Sequence, residues 1–141
     1  MSELPEKLQE IVEDFALLEG NEKLEYLMEL GERLPPLPPR LAADRDRMEL
    51  VHECMSTVYV SAGKDDDGRL TFFIDAPPES PTVRGYATIL TEGLNGVTTA
   101  ELLAVPNEFY LQMGLQQVLS GQRLNGIGGI LAHMKRVAAD Q

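Results

Sequence analysis

Apolar residues recur every three or four positions near the N-terminus, at Leu8, Ile11, Val12, Phe15 and Leu18. That spacing predicts one buried face of an α-helix. Gly20 follows and reads as the helix's C-terminal stop. Asn21 is then a candidate cap for a second helix, with Glu22 and Glu25 favourably placed in its first turn. Leu24, Leu27, Met28 and Leu34 supply the buried stripe of that helix, so residues 1–34 predict an antiparallel helical hairpin. Leu34-Pro35-Pro36-Leu37-Pro38-Pro39 cannot continue a helix, because proline lacks the amide donor and restricts the residue before it. Residues 34–47 read as an extended, stiff connector within one domain rather than a ligand for a proline-recognition module.

The period then changes from 3.6 to two. Val58, Val60 and Ala62 alternate with Thr57, Tyr59 and Ser61, and Leu70, Phe72 and Ile74 alternate with Thr71, Phe73 and Asp75. Gly63-Lys64-Asp65-Asp66-Asp67-Gly68 between them predicts a hairpin loop. Its aspartates lack the spacing and distant glutamate of a calcium loop, so they read as solvated turn chemistry. Ser80-Pro81 predicts the cap and first residue of a helix carrying Val83, Tyr86, Ala87 and Leu90. Thr98-Thr99-Ala100-Glu101 matches a capping box that opens a short helix through Ala104. Pro106 ends it, and Asn107 is a candidate cap for another through Met113. A last amphipathic helix carries Ile127, Ile130, Leu131, Met134 and Ala138, with Lys135 and Arg136 near its C-terminal end. With no internal repeat, residues 1–141 read as a single α+β domain: helical hairpin, small antiparallel sheet, C-terminal helices.

Composition narrows the function. The chain has 141 residues and a net charge of −11, from 23 acidic and 12 basic side chains. Such a charge repels a polyanion and argues against a nucleic-acid partner. Ten of the acidic residues but only three basic ones fall between Met1 and Arg33. That imbalance predicts a solvated helical face, or more sharply a docking face for a basic partner. No apolar run approaches the length of a membrane span, and MSELPEKLQE has no signal-peptide character, so a cytoplasmic location is expected. The single cysteine, Cys54, precludes an internal disulfide and a cysteine-based zinc or iron–sulfur site within this chain. His52 and His133, the only histidines, do not define a metal site in the sequence. The glycines of Asn125-Gly126-Ile127-Gly128-Gly129 follow no strand, so neither a dinucleotide fingerprint nor a P-loop is predicted; they read as positions of close helix packing.

Attention therefore falls on Cys54. A lone intracellular cysteine is ordinarily a small buried hydrophobe. This one lies just before the first clear strand, after an irregular stretch, with His52 and Ser56 each two residues away and able to share its face in an extended segment. The adjacent Glu53 works the other way, since a negative charge disfavours a neighbouring thiolate.

Val51-His52-Glu53-Cys54-Met55-Ser56-Thr57-Val58-Tyr59 resembles the cysteine segment of the SufE family, which typically runs apolar-x-Gly-Cys-x-Ser-x-Val-Trp. Three further blocks agree in order and spacing: the Leu30-Gly31-Glu32-Arg33-Leu34-Pro35 exit of the second helix, Val83-Arg84-Gly85-Tyr86, and Gly121-Gln122-Arg123-Leu124-Asn125-Gly126-Ile127. The resemblance implies a fold shared with iron–sulfur scaffold proteins of the NifU kind, with the cysteine on an exposed loop at the sheet's edge. It implies a sulfur acceptor and carrier, not an enzyme in its own right. A cysteine desulfurase, which holds the pyridoxal phosphate, would pass persulfide sulfur to Cys54 for onward transfer to an iron–sulfur assembly scaffold. By the match, Cys54 is the acceptor and Arg123 a candidate stabiliser of its anion; Arg84 and Asn125 read as structural, and His52 has no family counterpart. No cofactor and no metal are expected on this chain.

Glu53 stands where the motif has glycine, Met55 and Thr57 replace glutamines, and Tyr59 replaces tryptophan. If that glycine served a positive φ, Glu53 would strain the loop. Glu53 also sustains an alternative, a non-catalytic adaptor that binds a desulfurase without accepting sulfur. A peroxide-sensing thiol ranks below both, because the chain offers no resolving cysteine.

Overall fold

The computed structural model describes residues 4–141. Helix α1 spans Glu6–Ala16 and buries Leu8, Val12 and Phe15, three members of the predicted stripe. It ends before Leu18, and Gly20 serves the next helix instead, capping α2 (Asn21–Gly31) with a φ of +54°. That conformation suits glycine, which explains why Gly20 and not Asn21 is the cap. In α2 the buried face is Lys23, Leu27, Leu30 and Gly31. Met28, expected in the core, is exposed, and Leu34 is buried beyond the helix end. The Lys23 ammonium sits inside, donating to the carbonyls of Phe15 at 2.6 Å and Met113 at 3.0 Å. It thereby adds a donor to the carbonyl at the end of α1, which the Leu18 amide also reaches at 3.1 Å, and ties that end to the Met113 turn.

The connector at 34–47 is less extended than predicted. Pro39 opens a one-turn helix, α3 (Pro39–Ala42), and a 3₁₀ turn follows at Arg45–Arg47. Proline fits the first helical position because no amide donor is needed there. The sheet has three antiparallel strands in the order β1 (Glu49–Leu50), β2 (Tyr59–Lys64), β3 (Leu70–Asp75). Val60 pairs with Ile74 and Ala62 with Phe72, placing the predicted apolar alternation on the core face. In the hairpin loop Asp65 Oδ1 accepts from the amides of Asp67 and Arg69, both at 2.9 Å, and Gly68 adopts a φ of +79°.

Helix α4 (Pro81–Leu94) is the centre of the molecule. Every residue from Gly85 to Thr91 is buried, and the helix contacts α1, α2, β3 and the C-terminal helix. Its approach to α2 leaves no room for a side chain: a Cβ on Gly85 would lie 1.9 Å from the Leu27 carbonyl oxygen. The predicted capping box is present at α5 (Thr99–Leu103), with Thr98 and Glu101 each accepting from the other's backbone amide. The segment expected to be a helix from Asn107 is a 3₁₀ turn at Phe109–Met113, closed by Gly114 in the left-handed region. Helix α6 (Gly121–Ala139) begins before the predicted apolar stripe, where Ser120 Oγ accepts from the Arg123 amide at 3.2 Å.

The α2–α4 contact yields the first prediction. Gly85→Ala should destabilise the fold by at least about 2 kcal/mol, because backbone rather than a flexible side chain must move. Urea unfolding of the two proteins measures this. A variant of unchanged midpoint would mean that α2 shifts freely on α4.

Candidate functional site

Cys54 lies in the loop between β1 and β2. The loop closes on itself through the Val51 amide, which donates to the Val58 carbonyl at 2.9 Å, and the Cys54 amide, which donates to Val51 at 3.3 Å. Val51 and Val58 are fully buried and anchor its two ends. The loop lies flat on α6 because two helix positions carry no side chain. A Cβ on Gly126 would approach Cys54 Cα to 3.2 Å, and one on Gly129 would meet Glu53 Oε2 at 2.5 Å. The close packing expected of these glycines therefore serves the cysteine loop.

The half-buried Cys54 borders a cavity of about 490 Å³. Its neighbours Met55 and Ser56 form one wall, and the lining includes Leu24 and Met28 of α2, Glu79 and Ser80 ahead of α4, Pro81 to Val83 of α4, and Arg123, Gly126 and Ile127 of α6. Ser56 Oγ and Ser80 Oγ are 2.5 Å apart and tie the loop to the start of α4. Arg123 stands on the rim with its Nη1 donating to Thr82 Oγ1 at 2.7 Å. The N-terminal ends of α4 and α6 both border this cavity, as does Glu79, so two positive helix-dipole ends and one carboxylate line it. The helix ends favour an anion there.

The other sequence candidates separate. Arg84 Nη1 donates to the Ala76 carbonyl at 2.7 Å and does not line the cavity. Asn125 is exposed and does not line the cavity. His52 does not share the face of Cys54, because the segment turns rather than extends; its ring reaches Glu53 and packs edge-on against His133, centroids 5.1 Å apart. His133, 81 positions along from His52 and set aside in the sequence, is thus part of the loop's surroundings. Only the helical period that points His133 and Gly129 to one side of α6 hinted at it.

The signature of the SufE family, described as an Fe-S metabolism associated domain, matches residues 9–138. The chain belongs to the SufE family. An uncharacterized SufE-like protein of Mycobacterium tuberculosis (strain H37Rv) is 42% identical over 133 residues, covering 94% of this chain and 92% of that one. The SufE-like protein 1, chloroplastic/mitochondrial, of Arabidopsis thaliana is 35% identical over 98% of this chain, which spans 36% of that longer protein. The cysteine desulfuration protein SufE of Plasmodium vivax is 29% identical over 94% of this chain and 52% of its own length. The solution structure of a hypothetical protein from Thermus thermophilus superposes with a TM-score of 0.83 at 31% identity, covering 97% of this chain and 96% of that one. The α+β arrangement is thus a SufE-like fold. No helix among the described residues is long and apolar enough to cross a membrane.

The departure of this SufE-family chain at Glu53 has a structural basis. No non-glycine residue among those described has a positive φ, so Glu53 introduces no strain of that kind. Its carboxylate is turned to His52 Nε2 at 2.7 Å and His133 Nε2 at 3.0 Å. The hydrogen bond from His133 holds the Glu53 carboxyl below the usual glutamate value, against a smaller opposing effect of burial. Burial pushes the His133 imidazole down, but hydrogen bonds and charge from Glu53 and Glu49 together outweigh it and leave its pKa raised.

The signs define a pH window. Glu53 is lowered from 4.5, so its contribution to stability is present above 4.5 and lost as pH falls through the lowered value. His133 is raised from 6.5, so its contribution is complete below 6.5 and lost as pH rises through the raised value. Both act fully between 4.5 and 6.5. The stability difference between wild type and His133→Asn should peak there and shrink on either side. Urea unfolding across pH in chelator-containing buffer measures it, and a flat difference would contradict this assignment.

Proposed function

We propose that this SufE-family protein accepts persulfide sulfur on Cys54 from a pyridoxal-phosphate cysteine desulfurase, stimulates that enzyme, and passes the sulfur on for iron–sulfur cluster assembly. The observation that carries the reading is the half-buried thiol at a cavity bordered by two helix N-termini and Arg123. The Cys54 thiolate attacks the outer sulfur of the desulfurase persulfide. A sulfur–sulfur bond forms on Cys54 as the donor's sulfur–sulfur bond breaks, and the donor cysteine leaves with the electron pair as thiolate. No external oxidant or reductant is required. The product is an anion at neutral pH, which the helix ends and Arg123 favour. Met55 is 80% exposed beside Cys54 and offers an apolar contact at the mouth of the cavity.

The pyridoxal cofactor belongs to the desulfurase, and this chain acts as an accessory protein in the cytoplasm. The name of the Plasmodium relative, a cysteine desulfuration protein, supports the partner class. The geometry also weakens the adaptor alternative, since the Glu53 charge that motivated it is engaged by two imidazoles.

Intact-protein mass spectrometry without reductant, after incubation with a desulfurase and L-cysteine, tests the reading. Wild type should gain the mass of one sulfur atom and Cys54→Ser should gain none. Binding without added mass, or desulfurase stimulation that survives Cys54→Ser, would favour the adaptor instead. Arg123→Ala should slow sulfur loading about tenfold, the effect of losing one charge-assisted contact of roughly 1–3 kcal/mol, while leaving the unfolding midpoint unchanged. Loading at the wild-type rate would remove Arg123 from the site.

A further inference from the structure

The side of the cysteine loop turned from the cavity carries a second cluster. His52 Nε2, one carboxylate oxygen of Glu53 and one ring nitrogen of His133 lie within 4.8 Å of one another. The side chains of the three are 74%, 28% and 9% exposed, so the cluster opens to solvent at His52 and closes at His133. We propose that His52, Glu53 and His133 bind a divalent first-row transition ion of the zinc type. Two imidazoles and a carboxylate suit such an ion and leave coordination positions for water.

Two of the three donor separations are close to those required. Around a tetrahedral zinc with bonds of about 2.0–2.2 Å, neighbouring donors stand roughly 3.3 Å apart. The two imidazole–carboxylate separations are 2.7 and 3.0 Å, so shifts of a few tenths of an ångström at His52 and at the Glu53 carboxylate bring both pairs to that spacing, with all three donors already within 4.8 Å of one another.

Two further features belong to a built site. His133 Nδ1 is hydrogen-bonded to the Glu49 carboxylate, whose other oxygen is 3.3 Å from Arg136 Nε. A carboxylate on the far nitrogen fixes the ring so that Nε2 faces Glu53, the outer-shell arrangement found behind metal-bound histidines. Gly129 clears the space: any side chain there would displace the Glu53 carboxylate. Cys54 is outside the cluster, its Sγ lying against Gly126 instead. The ion site is therefore separate from the sulfur acceptor, and neither proposal depends on the other.

Zinc titration of chelator-stripped protein, followed by calorimetry, tests the site. One zinc per chain is expected, with affinity at least tenfold weaker in His52→Ala and about 10–100-fold weaker in Glu49→Gln. Cys54→Ser should bind like wild type. His52→Ala alters an exposed side chain and leaves the fold intact, so its result is not confused by unfolding. Cobalt(II) substitution should give d–d absorption without a thiolate charge-transfer band. Absence of saturable binding, undiminished affinity in His52→Ala, or a thiolate band lost in Cys54→Ser would each overturn the proposal.

Discussion

The approach of α4 to α2 at Gly85 is the constraint on which the rest of the molecule rests. A contact between backbone and backbone cannot be adjusted by changing a rotamer, so it fixes the distance between the two helices more firmly than side-chain packing does. Gly31 repeats the device one end along: a Cβ there would lie 2.8 Å from the Pro81 carbonyl oxygen. Pro81 is at the start of α4 and borders the Cys54 cavity, as do Leu24 and Met28 of α2. The spacing of these two cavity walls therefore follows from two glycines, neither of which lines the cavity. Since α4 is surrounded by α1, α2, β3 and α6, moving it would disturb every layer at once.

The same device, used by α6, places the cysteine. Glycine inside a helix costs on the order of 1 kcal/mol relative to alanine, and α6 carries glycine at 126, 128 and 129. The helix is offset by its length, its Ser120 cap and the burial of Ile127, Ile130, Leu131 and Met134. In return the loop lies against the helix backbone, which half-buries Cys54 without covering it. Glu53 is accommodated in the same way. Its carboxylate occupies the space over Gly129 and meets an imidazole nitrogen on each side, so a glutamate stands beside the cysteine without an unpartnered carboxylate being buried.

Much of this was legible in the sequence, for physical reasons that differ by element. The hairpin strands, the capping box at Thr98 and the N-terminus of α4 follow from local chemistry, and local rules placed them. β1 has two residues and no periodicity, so only its pairing with Val60 and Tyr59 reveals it. Met28 has the right spacing for the core but falls on the cavity side, which helical period alone does not distinguish from the buried side. Lys23 is hidden for the opposite reason: its charge predicts exposure, and only the carbonyls of Phe15 and Met113 explain its burial. Cys54 was found by elimination and by the family motif. The meeting of His52 with His133 was not, because it depends on how the loop crosses α6.

That crossing divides the loop into two chemically distinct faces. On one, Cys54 borders a cavity lined by Arg123, by the N-terminal ends of α4 and α6, and by Glu79 just ahead of α4. On the other, the negative charge of Glu53 is directed into the histidines. A glutamate next to a nucleophilic cysteine is unfavourable only if its field reaches the sulfur undiminished. Here the His133 imidazole, when protonated, offsets that field at short range, where Coulomb energies are largest. The substitution of the motif glycine is thus matched by His52 and His133, and the effect of Glu53 on Cys54 has to be judged with all three residues together.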